Sequence, residues 1–359
     1  MLANIIVEPG KVELCEVKTP EPSEGEILVK IKASLTCGTD LKAFLRGHPL
    51  IPMPGLFGHE FSGVLAEVGK GIKKFKPGDE VMAVHTAPCL KCMFCKKGVY
   101  NLCEKIMHTK VLGAFAEYIL LPSHIVRQNV FHKAKNLTFE EAAFLEPLSC
   151  VVHSVEPLGI KKGDNALIIG AGPIGLLHLL LLKRKGTKVA IIDIRKERLK
   201  MAKMLGADLV LRTIDSASPG PLPAREGNNV GEGKGEEYSH VRKFTDGIGF
   251  DYAFECTGKP EVWEAAVKYV RKGGIVILFG GCESGTTVNY DTGRIHYDEI
   301  TLKGVFHCTP SDVKKAYKLL CERKLGVSRL ISGSYTLKHT QKAFDKLAKG
   351  IGIKYAIIP

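Results

Sequence analysis

Four cysteines fall within fifteen residues as Cys89-x2-Cys92-x2-Cys95-x7-Cys103. Thiolates at such short spacing can surround one tetrahedral Zn2+ without help from any distant residue. The intervening Pro88, Lys91, Lys96, Lys97 and Gly98 offer little apolar surface, so a metal would supply the folding energy of this lobe. With four sulfurs bound no coordination position stays open, and the site reads as structural. An iron–sulfur cluster or a redox dithiol is the other reading of the same spacing. The chain holds eleven cysteines. An odd number, behind an N-terminus (MLANIIVEPGK) with no basic leader, argues against a disulfide framework. A soluble, unexported, cytoplasmic protein is the expectation.

Cys37, His59, Glu60 and Glu146 form a looser set. Singly each has an ordinary packing or surface explanation. Each is read in a turn-like setting, and together they supply the mixed sulfur, nitrogen and oxygen donors of a catalytic zinc with an exchangeable position. A third signal is Gly170-Ala-Gly172-Pro173-Ile174-Gly175, which follows the apolar strand NALII and opens the helix IGLLHLLLLK. Asp193 stands eighteen residues beyond Gly175, at the end of a second strand. In that context the glycines let backbone approach a pyrophosphate, the helix N-terminus meets its charge, and the acid takes a ribose 2′-hydroxyl. Asp193 would repel a 2′-phosphate and so favours NAD over NADP, a preference tempered by Arg195 and Arg198 nearby.

The elements that must position these groups fall into two halves. ILVKIKASL (27–35), FSGVLAEVG (61–69) and the turn-plus-strand KPGDEVMA (76–83) make the first 150 residues a region of short strands, with a proline-rich loop over 46–57. From about 165, strands and helices alternate: NALII, KVAIIDI, a helix from Lys196 to Leu205, ADLVL, FDYAFECTG, a helix PEVWEAAVKYVRKG, GGIVILFGG and ITLKGVF. Continuous apolar strands in such alternation mark a doubly wound parallel sheet. The Gly- and Pro-rich segment 216–237 reads as a surface loop or disordered insertion. Beyond Ser311 come two amphipathic helices, a short YTL strand and a terminal KYAIIP strand. The net charge is +13, but Lys and Arg are dispersed and no basic block with interleaved aromatics appears, which argues against nucleic-acid binding. The longest apolar stretch, Pro173 to Leu182, is too short to span a membrane.

These residues together resemble the zinc-containing medium-chain dehydrogenase/reductase family. GHEFSGVLAEVGKGI (58–72) is similar to its zinc-alcohol-dehydrogenase signature, and CGTD (37–40), KPGDEV, the four-cysteine lobe, the glycine turn and FECTG (254–258) follow in family order. LEPLSCVVHS (145–154) looks most like the sorbitol, threonine and butanediol dehydrogenase branch. The resemblance implies an α/β chain with a GroES-like, mainly-β catalytic domain over 1–151, completed by 308–359, and a Rossmann domain over 152–307. It implies Cys37 and His59 as catalytic-zinc ligands, with Glu60 and Glu146 as ligand or near-ligand carboxylates. It also implies one structural and one catalytic zinc, NAD contacts from Cys256 and Thr257 beside the glycine turn, Asp193 and Arg198, and a homo-oligomer, tetramer or dimer. The implied reaction is hydride transfer from a small secondary alcohol or polyol to NAD. Zinc makes the hydroxyl acidic, and Thr39 matches the residue that takes its proton. Where family members often carry a relay histidine stands Lys42, so Lys42, His48 or water completes the relay. An NADP-dependent aldose dehydrogenase and a non-catalytic dinucleotide-binding relative are the competing readings. The substrate pocket is expected around Phe44 to Phe57, Glu146, Phe279 and Phe306.

Overall fold

The computed structural model describes residues 1–213 and 236–359. It divides into two compact units, Met1–His153 with His307–Pro359, and Ser154–Phe306. The expected insertion at 216–237 lies outside the described residues but for its last two, which begin the helix Glu236–Phe244.

The first unit is mainly β. Its larger sheet runs in the order Ile331–Thr336, Lys354–Ile358, Ile27–Leu35, Glu60–Val68, Glu80–Val84, Val130–His132, with Tyr118–Leu121 also pairing with Ile27–Leu35. The long antiparallel pairing of Ile27–Leu35 with Glu60–Val68 sets Leu35 opposite Glu60 and Ser34 opposite Phe61. This register brings the ends of the two strands, and hence Cys37 and His59, to one place. Burial alternates over 29–33, the period of two of a strand, while both ends of Ile27–Leu35 are buried continuously. The C-terminal strand joins this sheet antiparallel to Ile27–Leu35, with Ala356 opposite Leu35. The last fifty residues are therefore part of the unit that carries the first metal donors.

The expected run of strands is interrupted by helices at Gly38–Arg46, Ser123–Asn129 and Leu145–Val155. The turn-like settings expected of the second donor set thus give way: CGTD starts a helix, Glu60 opens a strand, and Glu146 lies in the first turn of a helix. Phe44 and Phe57, placed by the sequence around the pocket, are core residues. Phe57 packs edge-on to Phe115 at 4.8 Å, and Phe44 lies 5.5 Å from Phe344. Their burial follows from aromatic area, which is worth more inside than at a wet surface.

The second unit holds a six-stranded, fully parallel sheet in the order Leu209–Arg212, Lys188–Asp193, Asn165–Ile169, Phe250–Glu255, Val270–Leu278, Thr301–Gly304. Strand order reverses between Asn165–Ile169 and Phe250–Glu255, the switch point at which doubly wound sheets bind ligands beyond their strand ends. The helix expected over PEVWEAAVKYVRKG stops at Ala266. After a 3-10 turn, Val270 already begins the next strand, because β-branched Val270, Val276 and Ile277 are buried where that strand pairs with its parallel neighbour. No helix among the described residues is long and apolar enough to cross a membrane.

Candidate metal centres and dinucleotide site

Cys37 caps the helix Gly38–Arg46, and its backbone N–H donates to Asp40 Oδ2 at 3.3 Å. His59 precedes, and Glu60 opens, the strand Glu60–Val68. Their donor atoms converge: the Cys37 sulfur, a His59 ring nitrogen and a Glu60 oxygen lie within 4.8 Å of one another. Asp40, buried, places Oδ1 3.4 Å from His59 Nδ1. A carboxylate behind a histidine fixes its tautomer and makes the other ring nitrogen the metal donor. Burial alone would push His59 down, but Asp40 and Cys37 outweigh it and hold the imidazole well above its ordinary value. That is the signature of a pocket rich in negative charge, the setting a cation requires.

Glu60 is fully buried. Its Oε2 accepts from Lys354 Nζ, while its Oε1 is buried with no hydrogen-bond partner. An orphaned carboxylate oxygen beside a thiol and an imidazole is costly without a ligand. The donor set fits zinc, for which mixed sulfur, nitrogen and oxygen donors are typical. Burial pushes Glu60 up to about 7 against the pull of Lys354. Glu146 is not among the three converging donors. Its Oε1 lies 3.8 Å from His85 Nδ1 and 3.8 Å from Cys150 Sγ, and burial raises its carboxyl while His59 and Lys354 draw it down. Thr39 stands half-buried in the first turn of the same helix as Asp40, and Lys42 lies half-buried one turn on. His48 Nδ1 accepts from Leu50 N–H at 3.2 Å, and burial, then Lys42 and Arg46, lower its pKa.

Asp40, His85 and Lys354 escape the sequence reading. The His85 ring lies tilted against His59, with centroids 4.8 Å apart, and its Nδ1 is buried without a hydrogen-bond partner. Asp40 had a signal, since it sits in the quoted CGTD, three residues after Cys37. Lys354, nearly three hundred residues from Glu60, had none.

In the second lobe, the sulfurs of Cys89, Cys92, Cys95 and Cys103 lie within 4.8 Å of one another. Backbone amides of Lys91 (3.5 Å) and Cys92 (3.4 Å) donate to Cys89 Sγ, and that of Cys89 donates to Cys103 Sγ (3.3 Å). Those amides push Cys89 down to about 6, toward the thiolate that a metal binds. Burial pushes Cys95 up to about 12. The lobe does hold a small apolar cluster, with Ile106 buried against the cysteines.

In the second unit Gly172 caps the helix Pro173–Arg184, with Pro173 at its first position. Gly170 has φ +103°, a conformation open to glycine. A Cβ on Gly175 would meet Gly170 O at 1.9 Å, so only glycine lets helix and strand pack this closely. A Cβ on Gly172 would meet nothing nearer than Arg198 Nη1 at 3.7 Å, leaving its backbone approachable. Asp193 ends its strand and accepts from the Ala171 and Arg195 amides at 2.7 and 2.8 Å. Arg198 Nη1 lies 4.0 Å from Asp193, while its Nε is buried without a partner. FECTG abuts the turn: Cys256 N–H donates to Ile169 O at 2.9 Å, and the Thr257 methyl would touch a Cβ on Gly170. Buried Glu255 fixes this segment by accepting from the Thr257 amide at 2.7 Å and from its hydroxyl.

A mainly-β unit with converging zinc donors and a doubly wound sheet with a glycine turn define a zinc dehydrogenase in outline. Residues 23–129 match the alcohol dehydrogenase GroES-like domain, and 173–322 match the zinc-binding dehydrogenase domain. The chain is 31% identical to the sorbitol dehydrogenase of Halalkalibacterium halodurans, over 100% of this chain and 99% of that one. It is 32% identical to the D-arabitol-phosphate dehydrogenase of Enterococcus avium, over 97% and 95%. Among solved structures, galactitol-1-phosphate dehydrogenase from Escherichia coli is similar with a TM-score of 0.84 and 29% identity, covering 100% of both chains. The chain belongs to the zinc-containing medium-chain dehydrogenase/reductase family and is an oxidoreductase.

Proposed function

We propose that the chain oxidises a secondary alcohol or polyol to the ketone, with NAD as hydride acceptor and a zinc held by Cys37, His59 and Glu60. The observation that carries this is the convergence of those three donors around an otherwise unpartnered Glu60 oxygen. Bound there, zinc supplies Lewis acidity toward a hydroxyl oxygen. Asp40 orients His59, and Lys354 draws Glu60 toward its ionised form. Glu146, within the field of both, is a near-ligand carboxylate that exchanges with water or substrate. Thr39 takes the hydroxyl proton, which leaves through Lys42, His48 or water. Gly170, Gly172, Pro173, Ile174 and Gly175 form the pyrophosphate cradle, bordered by Cys256 and Thr257, and Asp193 takes the adenosine ribose. A second zinc at Cys89, Cys92, Cys95 and Cys103 holds the lobe folded. The active form is a homo-oligomer, dimer or tetramer; a monomer in light scattering overturns that point.

The curated relatives act on sorbitol and on arabitol phosphate, which supports a polyol carbon skeleton, free or phosphorylated. The unpartnered Arg198 Nε favours a second reading, NADP as acceptor. The test is dinucleotide reduction over sorbitol, arabitol, butanediol, threonine and polyol phosphates, with both cofactors. The proposal expects turnover on a vicinal diol with the NAD initial rate exceeding that with NADP. A higher NADP rate favours the Arg198 reading. No turnover on any alcohol, with zinc found only in the four-cysteine lobe, refutes both.

A further inference from the structure

Outside the groups assigned so far, Cys150, His307 and Cys308 bring two sulfurs and a ring nitrogen within 4.8 Å of one another, all inside the first unit. Zinc bonds of about 2.3 Å to sulfur and about 2.0 Å to nitrogen put tetrahedral donors roughly 3.5–3.8 Å apart, so small side-chain rotations close the set around an ion. Cys150 lies one helical turn beyond Glu146, whose Oε1 is 3.8 Å from Cys150 Sγ and can supply a fourth, oxygen donor. His307 and Cys308 are adjacent in sequence, and neighbours on extended backbone point to opposite sides. His307 has φ +59°, a left-handed conformation unfavourable for a residue with a side chain, and this turn lets both consecutive side chains face Cys150.

The surroundings are those of a metal centre. Thr86 Oγ1 lies 2.5 Å from His307 Nε2, so a proton on that nitrogen leaves Nδ1 as donor, the outer-shell arrangement of metal-bound histidines. His85, whose Nδ1 is buried and unpartnered, faces the same Glu146 oxygen and lies 5.8 Å from the His307 ring.

We propose that Cys150, His307 and Cys308 form a further cation site, beside the Cys37–His59–Glu60 centre, for a thiophilic divalent ion such as zinc or cadmium. Two sulfurs and an imidazole select such ions over magnesium or calcium. Because the site draws on Glu146, filling it withdraws that carboxylate from the Cys37 centre, and excess zinc inhibits turnover. The inhibition rests on the proposed function; the binding does not.

The experiment compares the full chain with Cys308→Ser and His307→Ala after equilibration with excess zinc, desalting and metal analysis. The expected result is one zinc per chain more in the unsubstituted protein than in either variant, whatever its total. A chain isolated without added zinc and then titrated with cadmium should gain a sulfur-to-cadmium charge-transfer band that Cys308→Ser lacks, with no zinc released. Equal zinc contents overturn the site. So does the absence of any new band in the unsubstituted chain, a readout that holds even where a variant fails to fold. Thiol titration that finds Cys150 and Cys308 paired as a disulfide in freshly isolated protein also overturns it. A zinc count that bears out the site while no alcohol is oxidised would sink the dehydrogenase reading and leave this one standing.

Discussion

Replacing Lys354 with methionine removes the ammonium that contacts the buried Glu60 carboxylate. Both side chains are almost completely buried, at 1% and 0% exposure, and Lys354 Nζ also donates to Thr36 O at 2.6 Å. Methionine keeps most of the volume, so the loss is electrostatic. Removing one partner of a buried pair costs about 3–5 kcal/mol, because the other charge stays desolvated and alone. For a unit of this size that corresponds to a fall in melting temperature of roughly 6–20 °C. Zinc supplies a substitute positive charge, so the full deficit appears only in chelator-treated protein. It also depends on pH. Glu60 is held at about 7 against an ordinary 4.5, so its protonated form contributes stability that is complete below 4.5 and lost as pH rises through 7. Without the pull of Lys354 the variant keeps Glu60 protonated to higher pH, so its deficit is small near pH 4.5 and grows as pH rises past 7. Differential scanning fluorimetry of the chelated proteins across this range measures it. Lys354→Met combined with Glu60→Gln should recover most of the loss, since it leaves no unpaired charge. A single variant within about 1 kcal/mol of the parent at pH 8, or a double variant no better than the single, refutes the reasoning.

Two further outcomes follow from the second unit. Gly175→Ala places a methyl 1.9 Å from Gly170 O, so the turn must move; a stability loss of about 1–3 kcal/mol and weakened NADH binding by fluorescence titration are expected, and unchanged affinity counts against the cradle. Burial pushes His178 down to about 4, where its neutral ring pairs with Ser154 Oγ at 2.7 Å and Ile174 O at 2.9 Å. The stability this brings is present above pH 6.5 and lost as pH falls through 4, by up to about 3 kcal/mol. His178→Gln should flatten the acid limb of a stability–pH curve; parallel curves contradict the assignment.

Local signals were legible because their chemistry is local. The four cysteines need only fifteen residues of chain, and the glycine turn is framed by a strand and a helix whose apolar runs announce themselves. Ile27–Leu35 appears where its alternation places it. Cys37, His59 and Glu60 could be grouped by donor chemistry and family resemblance but not by spacing, since their meeting depends on strand register: Leu35 opposite Glu60. Lys354 was invisible for the same reason, carried to Glu60 by the pairing of the last strand with Ile27–Leu35. A lysine before an apolar strand reads as a solvated end, and only the third dimension shows it buried. Phe44 and Phe57 went astray in the opposite sense, because a proline-rich loop suggests an open lining while these two rings turn inward onto Phe115 and Phe344. The helix Leu145–Val155 was missed as an element, although its Glu146 was singled out for its chemistry.

The most direct measurement is zinc dependence of dinucleotide reduction. Dialysis against a chelator should strip the Cys37–His59–Glu60 centre and abolish turnover while NADH binding persists, and one added equivalent of zinc should restore the rate in the parent chain but not in Cys37→Ser. A chain that keeps its full rate with that centre emptied, or a Cys37→Ser variant as active as the parent, contradicts the account.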